Sequence, residues 1–253
     1  MKLDRRNQII DMISQKKTVT NAELMECFQI SIETVRRDLE YLEQRGYLRR
    51  VYGGAVANGT IGSEPEYVSR ATLRASEKNA IAAAAANLIC SGEIIYLGVG
   101  TTVQGMTRYL KEFGDITVFT NSVRTAVELS EAPGCSVVLS GGQLRAKELT
   151  LSGFPSEENL NYFNVDKAFI GIGGISEAGV TDFHIGEARL HSQMIKNARQ
   201  AIVLADSSKL GARAMNNVCP LRDIDILVTD SNAPKQMVKA FEQAGVRVII
   251  ARE

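Results

Sequence analysis

The residues of this chain with types and spacing suited to chemistry fall into two groups. The first lies in the run SIETVRRDLEYLEQRGYLRRVYGG, where Ser31, Thr34, Arg36, Arg37 and Tyr41 are followed by Arg49 and Arg50. An arginine offers two parallel donors to guanine in the major groove, and threonine can touch a base or a phosphate, so this group suits duplex DNA. The second group is spread over the later chain: Gly98, Gly100, Thr101 and Thr102 in GVGTT, then Asn121, Gly141, Gly142, Asp182, Glu187 and Lys209. A glycine and hydroxyl turn leading into a helix presents backbone N–H groups to an anion, and a phosphate would fit. The turn has neither the third glycine of G-x-G-x-x-G nor the lysine of a P-loop, which excludes dinucleotide and nucleoside-triphosphate readings.

The elements that must carry the first group follow from capping signals. Ile9, Ile10 and Ile13 predict a short amphipathic helix, interrupted by the polar stretch from Ser14 to Thr18. Thr20 and Glu23 form a capping-box pair with Val19 and Leu24 as its hydrophobic staple, so a second helix starts there and ends near Phe28. Ser31 caps a third, with Ile30 and Val35 as staple. Two capped helices with only a short link between them make a helix-turn-helix. On the third helix Ile32, Val35, Leu39 and Leu42 line one stripe, and at roughly 100° per residue Arg37 points away from it, with Thr34 and Tyr41 beside it and Arg36 on the flank. Gly46 stops the helix, and YLRRVYGG reads as a wing whose arginines contact backbone phosphates or the minor groove. The plainer alternative is a set of solvated surface charges on a three-helix domain.

The second group needs an α/β scaffold. Asn58 to Ala75 lacks periodicity and carries Gly59, Gly62 and Pro65, as a connector does. Ser76 is expected to cap an alanine-rich helix. Apolar runs then alternate with amphipathic segments: EIIYLGVG, a helix from Val103 to Lys111, ITVFTN, a helix from Val123 to Glu131, CSVVLSGG, KAFIGIGG, AIVLAD, DILVTD and VRVIIA, with helices near Glu187 to Ala198 and Pro234 to Gln243. This order predicts a parallel sheet, and ligands in such sheets gather beyond the carboxyl ends of the strands. The expected division is 1–57 for DNA binding, 58–75 as linker and 76–253 as sensor. Taken singly, each glycine or hydroxyl cluster also fits an ordinary tight turn. Asp206 could pair with Lys209 to hold a loop, and Glu187 could be a helix-start acid favoured by the dipole.

Composition sets the outer limits. The 253 residues are 45% hydrophobic and 23% charged, with 29 basic against 29 acidic side chains, as in a soluble globular protein. Zero net charge does not favour nucleic acid, and up to Ala57 ten basic residues face only eight acidic ones, so the DNA reading rests on placement. No apolar run approaches the roughly 18 residues of a membrane span, and the start MKLDRRNQII lacks a signal's apolar core, so a cytoplasmic protein is expected. The four cysteines stand far apart and read as reduced, mostly buried thiols. His184, Glu187 and His191 share a helical face but do not form H-E-x-x-H, which argues against a metal. No G-x-S-x-G elbow marks a nucleophile, and no cofactor is expected.

The run FQISIETVRRDLEYLEQRGYLRRVYGGA resembles the signature of the DeoR family of bacterial sugar-catabolism regulators, and GVGTT, TNS, SGG, DKAFIGIGG, GVTDFHIGEA and ADSSK resemble the effector domain of the same family. The resemblance implies a winged helix-turn-helix joined to a parallel α/β sensor domain of the ribose-phosphate isomerase type. It also implies that Thr34, Arg36 and Arg37 face operator DNA while Asp38 orients an arginine. Gly100, Thr101, Thr102 and Lys209 would hold a phosphate, and Asn121, Gly142, Asp182 and Glu187 would face a sugar. Many members carry an acidic residue where this chain has Gly98. The expected function is a repressor released from operator DNA by a phosphorylated sugar or polyol, acting as a homo-oligomer, dimer or tetramer, because helix-turn-helix proteins read paired half-sites. The alternative is a sugar-phosphate isomerase or deaminase with a DNA-binding appendage, Glu187 its general base and Lys209 its phosphate anchor.

Overall fold

A computed structural model describes residues 2–16, 18–57 and 64–252. The chain divides into two compact units, Met1–Arg74 and Ala75–Glu253.

In the first unit, α1 (Lys2–Lys16) leads to β1 (Thr18–Thr20), α2 (Asn21–Phe28), α3 (Ile32–Gln44), β2 (Leu48–Val51), β3 (Gly54–Ala57) and α4 (Tyr67–Thr72). Thr20 forms the full capping box: its hydroxyl accepts from the Glu23 amide at 3.2 Å, and the Glu23 carboxylate accepts from the Thr20 amide at 2.8 Å. Gln29 turns left-handed (φ 49°) to end α2, and Ser31 caps α3. Ile9, Ile13, Leu24, Val35, Leu39 and Leu42 meet in one core with Val19, Leu48 and Ala55 from the strands. The polar stretch expected to interrupt the first helix at Ser14 does not do so: α1 runs on to Lys16, and β1 follows and completes a three-stranded antiparallel sheet of order β1-β3-β2. Gly54 permits this, because a Cβ there would lie 2.1 Å from the Val19 carbonyl. The connector is also more ordered than expected. It holds α4, and Arg74 pairs with Asp11 of α1; residues 58–63, with Gly59 and Gly62, lie outside the described residues.

The second unit runs α5 (Ala75–Ala86), β4 (Ile94–Leu97), α6 (Thr101–Gln104), α7 (Thr107–Leu110), β5 (Ile116–Thr120), α8 (Val123–Leu129), β6 (Cys135–Leu139), β7 (Gln143–Arg145), β8 (Thr150–Ser152), α9 (Phe154–Asn161) and β9 (Val165–Gly171). It continues through β10 (Gly174–Ser176), β11 (Gly179–Asp182), α10 (Ile185–Asn197), β12 (Ala198–Leu204), β13 (Asn216–Cys219), β14 (Ile226–Asp230), α11 (Lys235–Gln243) and β15 (Arg247–Ala251). Seven strands form one parallel sheet of order β15-β14-β12-β9-β4-β5-β6. Alternate residues feed opposite faces. Ile95, Leu97, Phe169, Ile202 and Leu204 pack with α5 to α7, whereas Tyr96, Ala168, Ile170 and Val203 pack with α9 to α11.

Several expectations are corrected. The alanine helix starts at Ala75, so Ser76 lies in its first turn and is not its cap. The helix expected over Val103 to Lys111 begins at Thr101 and is interrupted at Gly105, where hydrogen bonds tighten to Gly105 N–Thr102 O and Met106 N–Val103 O. The helix after β5 stops at Leu129. Two small antiparallel groups, β10-β11-β13 and β7-β8, and helix α9 were not anticipated, because strands of three or four residues are too short to show a period. Among the cysteines, Cys27 and Cys90 are exposed and Cys135 and Cys219 half-buried.

Candidate functional sites

In the first unit, α3 presents two chemically distinct faces. Arg36 and Arg37 are exposed, and Ser31 Oγ accepts from the Thr34 amide at 3.4 Å and lies 3.1 Å from Thr34 Oγ1. Asp38 is 1% exposed and accepts from Arg5 Nε at 2.7 Å and Arg6 Nε at 2.8 Å, clamping α1 to α3. Tyr41 is half-buried between two guanidiniums, Arg6 at 3.5 Å and Arg45 at 3.6 Å from the ring centroid. Its ring is therefore engaged in cation–π stacking inside the unit, away from the open arginine face that the helical wheel gave it.

The wing separates its two arginines. Successive strand residues point to opposite sides, and Arg50 follows Leu48 towards α3 while Arg49 takes the outer side. The Arg50 amide donates to Glu43 Oε1 at 2.7 Å, which fixes the wing to the end of α3. A groove of about 380 Å³ between them is lined by Asn21, Arg36, Arg50, Tyr52 and Gly53, among others. Tyr52 at the hairpin tip is fully exposed, and sequence reasoning passed it over because a lone aromatic beside a glycine pair carries no periodic signal.

In the second unit the sheet order places β4 and β9 side by side although the chain visits β5 and β6 between them, so the winding direction reverses there. The crevice at such a switch point is where open α/β sheets bind ligands. The parallel sheet brings five clusters to one edge: Gly98 to Thr102 after β4, Thr120 to Ser122 after β5, Ser140 to Gly142 after β6, Gly171 to Gly174 after β9, and Asp206 to Lys209 after β12.

Their detailed placement differs from residue to residue. Gly98 is buried, and a Cβ on it would lie 2.8 Å from His191 Nε2, which also accepts from the Val99 amide at 3.4 Å. Gly100 (φ 122°) precedes α6, whose first amides have no intrahelical acceptors; Thr101 is half-buried and Thr102 buried. Asn121 is fully buried, accepts from the Tyr96 hydroxyl at 2.7 Å and donates to the Leu151 carbonyl at 3.1 Å. Burial, and then the negative charges of Glu187 and Asp182, push the Tyr96 phenol well above its ordinary range, so it stays a donor. Gly141 and Gly142 turn the chain into β7. Gly142 combines φ 112° with a Cβ position 2.1 Å from Ser156 Oγ, so no other residue fits.

Glu187, 3% exposed in the first turn of α10, accepts at Oε1 from Thr150 Oγ1 at 2.6 Å and Arg145 Nη1 at 3.2 Å. Asp182 is buried, with Oδ2 3.3 Å from His191 Nδ1. Asp206 accepts from the amide and hydroxyl of Ser208, capping the turn there, and Lys209 Nζ lies 5.7 Å from the Phe183 ring centroid. His191, weighed in the sequence only as a metal ligand, therefore supports the Gly98–Val99 turn from below. Among the described residues no group of three or more His, Cys, Asp or Glu side chains is arranged to hold a metal. Tyr96, Arg145 and Thr150 escaped sequence reasoning: the first looks like an ordinary strand aromatic, and the other two sit in a hairpin too short to be recognised.

Comparison with known proteins places both units. Residues 5–60 match the DeoR-like helix-turn-helix domain and residues 73–231 the DeoR C terminal sensor domain. The chain is 36% identical over 246 residues to the uncharacterized HTH-type transcriptional regulator YulB of Bacillus subtilis (strain 168), covering 97% of this chain and 95% of that one. It is 35% identical over 245 residues to the HTH-type transcriptional repressor GlcR of the same organism, with 97% and 95% covered. It is 32% identical over 253 residues to the putative aga operon transcriptional repressor of Escherichia coli O157:H7, with 99% and 94% covered. Among solved structures, ribose 5-phosphate isomerase A of Methanocaldococcus jannaschii is 23% identical with a TM-score of 0.38 over 53% of each chain. The Pyrococcus horikoshii OT3 translation initiation factor eIF-2B is 15% identical with a TM-score of 0.46 over 89% and 87%. The full-length relatives are named as regulators and repressors rather than enzymes, and none of the chain's described helices is long and apolar enough to cross a membrane. With a helix-turn-helix unit, a sensor unit and full-length relatives in agreement, the chain belongs to the DeoR family of DNA-binding transcription regulators.

Proposed function

We propose that this regulator represses a carbohydrate-catabolism operon and leaves its operator when a phosphorylated sugar or polyol occupies the switch-point crevice of the sensor unit. It acts in the cytoplasm as a homo-oligomer, so that two recognition helices read paired half-sites. Ser31, Thr34, Arg36 and Arg37 meet the major groove, Arg49 and Arg50 meet phosphates or the minor groove, and Tyr41 acts through the arginines stacked on it. Gly100, Thr101, Thr102 and Lys209 take the phosphate; Asn121, Gly141, Gly142, Asp182 and Glu187 shape the side that meets hydroxyls, and Gly98 rests on His191 behind the turn.

The observation that carries this reading is the gathering of five glycine, hydroxyl and amide clusters on one edge of a parallel sheet, around its point of reversal. Buried carboxylates beside backbone donors suit a polyhydroxylated anion better than an apolar ligand. Relatives named for the aga operon and as a glycerol-3-phosphate regulon repressor support the ligand class. Operator binding by the full chain, measured with and without a panel of sugar and polyol phosphates, tests it. At least one of the panel should weaken operator affinity tenfold or more. If none changes it, the ligand class is wrong.

A further inference from the structure

We propose that Arg145 joins Gly100, Thr101, Thr102 and Lys209 as a ligand of the effector's phosphate, its guanidinium leaving Glu187 to reach that phosphate when the effector binds. The inference rests on the sugar-phosphate reading above and names the residue that enforces it.

The β7-β8 hairpin is anchored along its inner strand and at the entry to its outer strand, where the Ser156 hydroxyl donates to the Gly141 carbonyl and the Asn159 amide to the Ser140 carbonyl. The inner strand β8 is stitched to the end of β5: the Leu151 amide donates to Asn121 O at 2.8 Å, the Val123 amide donates to Leu149 O at 2.9 Å, and Ser122 bridges Thr150. The outer strand β7 pairs with β8, follows the left-handed Gly141 and Gly142, and exposes Gln143 and Leu144. Arg145 stands opposite Thr150 in the register, and both donate to the same oxygen of Glu187. A cation on the outer strand and a hydroxyl on the inner strand therefore share one buried carboxylate beside the crevice.

That arrangement makes the admission of an anion costly unless a cation meets it. The carboxylates of Glu148, Asp182, Glu187 and Asp206 are all buried in this unit, and Asp182 and Glu187 are close enough to Tyr96 to raise its pKa. An incoming anion needs a cation that can turn to meet it. A phosphate dianion outcompetes a carboxylate for a guanidinium because it brings more charge and three acceptor oxygens. The exchange also releases Glu187 Oε1 to accept a sugar hydroxyl. A sugar without phosphate has nothing to draw Arg145 away, so the ion pair becomes a filter for phosphorylation.

Calorimetric titration of the full chain with glucose 6-phosphate, fructose 1-phosphate, glycerol 3-phosphate, their unphosphorylated parents and inorganic phosphate tests this. The wild-type chain is expected to bind at least one phosphorylated probe, Arg145→Gln to weaken it tenfold or more, and Arg145→Lys to recover part of the loss. Glu187→Gln, which loosens the competing partner, is expected to tighten inorganic phosphate at least threefold, and the gain is expected to vanish when Arg145→Gln is added, which separates release of Arg145 from the simple loss of a negative charge. If the wild type binds a phosphorylated probe and Arg145→Gln binds it within twofold, the inference fails while the sugar-phosphate reading stands. Weaker inorganic phosphate binding by Glu187→Gln also overturns it. If the wild type binds no phosphorylated probe, the underlying reading falls and takes the inference with it.

Discussion

Arg37 and Asp38 are chain neighbours with opposite fates, because one step along a helix turns the side chain by roughly 100°. Arg37 stands exposed on α3, and Asp38 is buried under Arg5 and Arg6. Replacing Arg37 with alanine should cost about 1–3 kcal/mol of specific operator binding and leave binding to unrelated DNA nearly unchanged, as gel-shift titrations on both sequences would show. Arg50→Ala should weaken all sequences alike and lower the salt slope by about 1. Asp38→Ala acts differently: it strands two guanidiniums at the α1-α3 contact, and breaking such a pair costs on the order of 3 kcal/mol. Thermal unfolding of the full chain should therefore show an early loss of the N-terminal unit, which Arg37→Ala does not cause. The cysteines separate by the same logic of position. Burial, and to a lesser degree Asp223, push the Cys219 thiol up to about 12, so at pH 8 it should react with a disulfide reagent far more slowly than exposed Cys27 or Cys90.

At the level of elements, short-range chemistry starts the helices and glycine sets the turns between them. The capping box of α2 is reciprocal, and Thr20→Ala should cost about 1 kcal/mol. Its pH dependence has a definite sign. The hydrogen bond from the Thr20 amide, followed by that from its hydroxyl, holds the Glu23 carboxyl below its ordinary range. A folded-state pKa below the unfolded value gives stability that is present above the unfolded pKa and lost as pH falls through the folded one. Thr20→Ala should therefore differ least from the parent in acid, measured as the shift in melting temperature against pH. In the sensor unit Gly142 plays the corresponding part, for Gly142→Ala would drive a methyl into Ser156 and the Ser152 carbonyl. Effector binding by that variant should fall while operator binding in the absence of effector persists, a pair of measurements that separates local misfolding of the hairpin from general damage.

Over the whole molecule, sensing requires that the effector bind one state of the protein more tightly than the other; equal affinity shifts nothing. Linkage makes the coupling reciprocal. If an effector weakens operator binding by some factor, saturating operator must weaken effector binding by the same factor, and two titrations should agree. How much of this was legible in the chain depends on the range of the interaction concerned. The helix-turn-helix could be read from Thr20, Glu23, Ser31 and one apolar stripe, because caps and helical periods act within four residues. The seven sheet strands could be read as apolar runs, the five inner ones because strands covered on both faces are apolar throughout. Even Asp38 was legible as a partner for an arginine, though only through family resemblance. What the sequence by itself determined, then, was the presence and kind of these elements and the residue types at their ends. Tertiary structure alone decided that Arg6 lies over Tyr41, that His191 closes against Gly98, and that Arg145 and Thr150 share Glu187. These contacts join positions far apart in the chain, and no local periodicity encodes a meeting that depends on the order and twist of a finished sheet.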